Sequence, residues 1–136
     1  CVLRRCWELT GDGRIFQFGI RSGDREEFRW GREHVHTHLF DFQGLSETLD
    51  RLEGRPVYFT LDLDVLDPSV FPGTGTPEPG GVRVDALRAA AELVCRRASL
   101  VGCDVNELSP PYDPSGISTA AACKIVREML IALQNK

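Results

Sequence analysis

Several things are absent from these 136 residues, and each absence narrows the field. No apolar run is long enough to cross a bilayer as a helix, which takes about 20 consecutive apolar residues. No basic patch stands out against a net charge of −4, which argues against nucleic acid as a partner. No Cys-x-x-Cys pair occurs among Cys1, Cys6, Cys95, Cys103 and Cys123, and their number is odd. They read as reduced thiols of a cytoplasmic protein, most of them small core residues. No secretory signal pattern shows in Cys1-Val2-Leu3-Arg4-Arg5. The only methionine is Met129, so the sequence reads as a piece of a longer product. No Gly-x-x-x-x-Gly-Lys-Ser/Thr loop is present, and Ser109, Ser115 and Ser118 lack the His and Asp of a nucleophilic triad.

What is present describes one soluble α/β domain. Apolar residues make up 42% of the chain and charged residues 26%. Ile15, Phe16, Phe18 and Ile20 mark a strand over 14–20, bracketed by Gly13 and Gly19. A short helix over 24–32 is capped by Ser22 or Asp24, and a second strand is expected over 37–42. Leu45, Leu49 and Leu52 keep helical spacing, with Ser46 as N-cap and Gly54 and Pro56 as the stop. Residues 57–63 form a β-favouring run typical of a parallel strand buried on both faces. The Pro- and Gly-rich stretch 67–81 is a shaped loop. Residues 85–97 form a helix with Asp85 near its N-cap, and 100–105 a further buried strand. A loop over 110–114 leads to a last helix over 118–134, its stripe formed by Ala121, Ile125, Met129 and Leu130. Strands alternating with helices predict right-handed βαβ units and a parallel sheet.

Chemistry concentrates in Asp62-Leu63-Asp64-Val65-Leu66-Asp67-Pro68. On a strand, Asp62 and Asp64 share a face with Cα atoms ~6.5–7 Å apart. Ligand sites in open α/β sheets lie at the carboxyl ends of strands. Two carboxylates converging there repel unless something positive intervenes, and a hard divalent cation suits their oxygens. The plainer alternative has one Asp capping the following loop and the other solvated. Asp67, before Pro68 at a turn, suits holding backbone N–H groups better than binding metal.

Thr60-Leu61-Asp62-Leu63-Asp64-Val65-Leu66-Asp67-Pro68, followed by residues 72–81 in the form Pro-Gly-Thr-Gly-Thr-Pro-Glu-Pro-Gly-Gly, resembles the signature of the ureohydrolase (arginase/agmatinase) family. The Pro-Gly-Thr-Gly-Thr-Pro form is closer to the agmatinase branch. Phe18-Gly19-Ile20-Arg21-Ser22-Gly23 upstream, and Gly102-Cys103-Asp104-Val105-Asn106-Glu107-Leu108-Ser109-Pro110 with Tyr112-Asp113 downstream, match in family order.

The resemblance implies a three-layer αβα fold with a mostly parallel sheet, arginase-like and truncated at its N-terminus. Residues 1–136 would be the C-terminal part of a single ureohydrolase domain. It implies two Mn2+ ions sharing a hydroxide that attacks a guanidinium carbon and releases urea. By position Asp62 would bridge both metals and Asp64 would bind one of them. Glu107 would hold the substrate guanidinium, through charge-assisted hydrogen bonds. Asp24 and Glu27 would contact the substrate tail, or serve as ordinary helix-start acids. The family's Gly-Gly-Asp-His and Asp-Ala-His-x-Asp segments are not in this sequence, and the catalytic His is expected upstream of Cys1.

The expected activity of the complete protein is conversion of agmatine to putrescine and urea in polyamine biosynthesis, with arginine or guanidinobutyrate as the alternative to agmatine. This part alone is expected to be inactive. A non-enzymatic remnant or subunit that binds metal weakly is the rival reading. A cytoplasmic homo-oligomer, trimer or hexamer, is expected of the parent, acting on a small cationic substrate without nucleic acid or membrane. Expressed alone, the segment should associate non-natively through an open sheet edge. The run His34-x-His36-x-His38 would share one strand face, yet reads as a solvated edge or loop rather than a metal site.

Overall fold

The computed structural model describes residues 2–136, which fall into two compact units divided at Gln43 and Gly44. The first unit holds α1 (Val2–Thr10), β1 (Phe16–Ile20), α2 (Arg25–His34) and β2 (His36–Leu39). β1 and β2 pair in parallel, Phe16 beside His36 and Phe18 beside His38. Both pairs stack as rings, with centroids 4.6 and 4.4 Å apart. α1 is joined to α2 by an edge-on contact between Trp7 and Trp30. Asp12 completes that junction by accepting from Trp7 Nε1 at 2.7 Å and lying 2.8 Å from His34 Nδ1. The sequence reading assigned no element to α1, which buries no residue and so carries no strong core stripe.

The second unit, Gly44–Lys136, holds α3 (Leu45–Arg51), β3 (Pro56–Asp62), α4 (Val84–Arg97), β4 (Ser99–Asn106) and α5 (Ile117–Gln134). β3 and β4 pair in parallel from Pro56 beside Ser99 to Asp62 beside Asn106, with an irregularity at Val57/Tyr58. Leu87, Ala91, Val94 and Cys95 of α4 and Ala122, Ile125, Met129 and Ala132 of α5 are buried, as are Leu61, Leu63, Leu66 and Phe71. Burying one of the Leu, Val, Ile, Phe or Met side chains is worth about 1.5–3 kcal/mol, so this apolar set holds β3, its following loop and the two helices as one body. Arg97 bonds Ser46 Oγ at 2.9 Å and pairs with Asp50, tying α3 to the end of α4.

Parallel pairing and the α/β class are as the sequence predicts. Several local expectations are corrected. β3 and β4 are not buried on both faces: Tyr58 is 63% and Val101 71% exposed, since no described element covers them. Ser46 does not cap α3; Gly44, in the left-handed region at φ 82, occupies that position without a side-chain bond. Asp85 does lie near the N-cap of α4, in the first turn after Arg83. Leu130 of α5 is 57% exposed, and the buried stripe runs through Ala122 and Ala132 instead. Cys95 is buried as expected, but Cys103 and Cys123 are exposed.

Candidate functional site

β3 ends at Asp62, and the chain turns at once into a single 3-10 turn, Leu63–Val65. Leu63 drives this turn, being 1% exposed and part of the core. Asp62 Oδ1 accepts from Asp64 N at 3.2 Å and so caps the turn. Asp64 therefore stands on the turn, and the strand face expected to carry both aspartates does not exist. The two carboxylates still crowd each other. Burial, then the charge of Asp64, then that of Glu107 push the Asp62 carboxyl up to about 6, partly offset by the Asp64 backbone N–H. Asp62 keeps an exposed surface, so charge crowding is the cause that the placement supports independently of burial.

The loop over 66–83 forms the wall beside these carboxylates. Thr76 Oγ1 donates to Asp64 Oδ2 at 2.9 Å. Asp67 accepts from Ser69 N at 2.9 Å, Gly80 N at 2.8 Å and Gly81 N at 3.2 Å. Its role is the backbone-holding one expected of it, and Ser69 first, then the Gly80 and Gly81 N–H groups, hold its carboxyl at about 2. Gly81 passes so close that a Cβ there would lie 2.5 Å from Asp67 N.

Glu107 follows β4 with φ 66, a left-handed conformation that a non-glycine residue adopts at a cost. A Cβ on Gly75 would lie 4.0 Å from Glu107 Oε2, which sets the loop against this carboxylate. Asp62, Asp64 and Glu107 thus gather at the carboxyl ends of two adjacent parallel strands. Thr60 and Asn106 both donate to Asp104 Oδ1 beside them, Thr60 at 2.7 Å. That pair and Tyr58 hold the Asp104 carboxyl below the usual range, Thr60 contributing most. Sequence reasoning matched Asp104 and Asn106 only as motif letters; the pairing of Thr60 with Asp104 depends on strand register, which no local pattern reveals.

Asp24 and Glu27 lie in the other unit. Asp24 is the N-cap of α2, its Oδ1 accepting from Glu27 N at 2.8 Å, and Glu27 stands in the first turn. This is the helix-start alternative that the sequence left open. The three histidines do not share one strand. His34 ends α2 against Trp7 and Trp30, whereas His36 and His38 lie on β2 over phenylalanine rings.

Asp62 and Asp64 offer carboxylate oxygens of the kind that Mn, Mg or Ca take, and burial with the neighbouring Asp64 charge raises the Asp62 carboxyl to about 6. The donor type fits such a cation. The donor number falls short: among the described residues no group of three or more His, Cys, Asp or Glu is placed to hold an ion.

The model of the arginase family matches residues 1–132. An agmatinase of Bacillus anthracis is 44% identical over 133 residues, covering 95% of this chain and 46% of its own length. A guanidinobutyrase of Pseudomonas aeruginosa is 35% identical over 140 residues, covering 93% and 42%. A crystal structure from Clostridium difficile, provisionally described as an agmatinase, superposes with a TM-score of 0.93 at 45% identity, over 98% of this chain and 50% of that one. The chain spans about half the length of the relatives it matches.

Proposed function

The chain belongs to the arginase family, and from that premise we propose that the complete protein hydrolyses a guanidino compound, agmatine, to putrescine and urea. The observation that carries this is the convergence of Asp62, Asp64 and Glu107 at the ends of β3 and β4. The choice of agmatine is supported by the higher identity to an agmatinase than to a guanidinobutyrase.

In the proposed reaction a water oxygen bonds to the guanidinium carbon and the bond from that carbon to the alkyl-bearing nitrogen breaks. The leaving amine takes up a proton, and the remaining C(O)N2 unit departs as urea. Glu107 faces the planar guanidinium and accepts charge-assisted N–H bonds, which orients the carbon for attack. Asp62 and Asp64 are the residues that would hold manganese, with Thr76 fixing the direction of Asp64. Manganese bound there would lower the pKa of the attacking water and position it. Two carboxylates alone make a weak site, so residues 1–136 by themselves are inactive on this reading. The same reading takes the complete protein to be a cytoplasmic homo-oligomer. No helix among the described residues is long and apolar enough to cross a membrane.

A second reading, a non-enzymatic subunit with weak metal affinity, is favoured by one observation: no third donor joins Asp62 and Asp64 among the described residues. Urea release by the complete gene product separates the two. With manganese, agmatine should give urea faster than arginine or guanidinobutyrate does. Absence of urea from all three, with any divalent cation, would leave the non-enzymatic reading standing.

A further inference from the structure

We propose that Ser118, at the start of α5, is a positioning residue that sets the register of the 72–76 loop against Asp64 and Glu107; this rests on the guanidino-hydrolase reading above. Ser118 is fully buried. Its Oγ accepts from Gly73 N at 2.8 Å, and its own N–H donates to Asp113 Oδ2 at 2.7 Å. Asp113 is itself buried and also takes the Ser115 N–H at 3.1 Å, so the serine cannot drift.

Gly73 is clamped from both sides. Its N–H is held by α5, and its carbonyl accepts from Ser109 N at 2.7 Å, in the segment just after β4. A Cβ on Gly73 would lie 2.8 Å from Ser118 Cβ and 3.0 Å from Asp113 Cβ, so the backbone approaches as closely as glycine permits. One residue, through its N–H and its carbonyl, therefore connects the loop to α5 and to the segment after β4. Two residues before Ser109 stands Glu107, in its left-handed conformation. Two residues after Gly73 stands Gly75, against Glu107 Oε2, and next to it Thr76 donates to Asp64. Between them Thr74 has a buried hydroxyl with no hydrogen-bond partner, so the loop is not held in place by that side chain's bonding. Besides the Thr76–Asp64 bond, its position is set through Gly73.

Removing the Ser118 hydroxyl leaves the buried Gly73 N–H without an acceptor. The loop then shifts, and Glu107 is the first of the site residues to lose its support. The test uses the complete protein with saturating manganese, comparing Ser118→Ala with Ile125→Val, a core change on the same helix that does not touch Gly73. Ser118→Ala should raise KM for agmatine about tenfold with kcat changed by less than about threefold, the pattern of lost substrate positioning. Amide hydrogen exchange should quicken at Gly73 and at Ser109 together. Ile125→Val should lower Tm with KM unchanged and the Ser109 amide still protected.

An unchanged KM in Ser118→Ala, or a KM shift equal to that of Ile125→Val, overturns the proposal. So does a Ser109 amide that stays protected while Gly73 loosens. A wild-type protein that releases no urea refutes the functional reading. In that case Ser109 exchange alone decides whether Ser118 sets the loop's register.

Discussion

Burial, then the charges of Asp64 and Glu107, raise the Asp62 carboxyl to about 6, while the bonds to Asp67 and Asp113 hold theirs at about 2. These act on stability in opposite directions. A raised carboxyl means that the folded, metal-free chain binds the Asp62 proton more tightly than the unfolded chain does. Its stabilising contribution is full below about pH 4 and is lost as pH rises through 6. The depressed pair contribute fully above about pH 4 and lose their effect as pH falls toward 2. Denaturant unfolding of wild type against Asp62→Asn should therefore show a difference that changes between pH 4 and 6 and is flat above. On the proposed reading manganese would compete with the same proton, so its apparent affinity should rise with pH up to about 6 and then level off. Calorimetric titration at three pH values checks this. At Gly73, Ala would force a Cβ into Ser118 and Asp113. Gly73→Ala should cost about 1–3 kcal/mol by overpacking, seen as a lower unfolding midpoint.

Among the elements, α4 and α5 carry the second unit's core. Leu87 of α4 is 1% exposed, and Leu87→Ala should cost about 2–5 kcal/mol in denaturant unfolding. His36→Ala removes a ring stacked on Phe16 at 4.6 Å and should cost only about 0.5–1.5 kcal/mol, with urea release unchanged. The strands and most helices were legible because β-branched and aromatic runs alternate with leucine and alanine at helical spacing. Helix starts were less so. Gly44 displaces Ser46 as the cap of α3 through its positive φ. Asp64 was read as a strand residue because an Asp-x-Asp alternation looks the same whether the strand continues or Leu63 turns into the core. That Asp62 and Glu107 stand at the ends of adjacent strands was legible, since the strand ends were. The Ser118–Gly73–Ser109 clamp was not, since it joins residues 45 and 36 positions apart through the backbone of Gly73, which has no sequence signature.

At the scale of the whole molecule, the chain matches about half the length of its relatives, and β3 and β4 present exposed apolar residues, Tyr58 and Val101. Exposed apolar surface beside strand edges favours association. The isolated 136-residue chain should run as a concentration-dependent mixture in light scattering; a monodisperse monomer that unfolds in one step would contradict this. The decisive measurement is manganese-dependent urea release from agmatine by the complete gene product, wild type beside Asp62→Asn. Loss of a carboxylate proposed to hold the metal should abolish urea release while the protein stays folded. Near-normal release with asparagine at position 62 would mean that the carboxylates at the ends of β3 and β4 are not the metal-holding part of a hydrolytic centre.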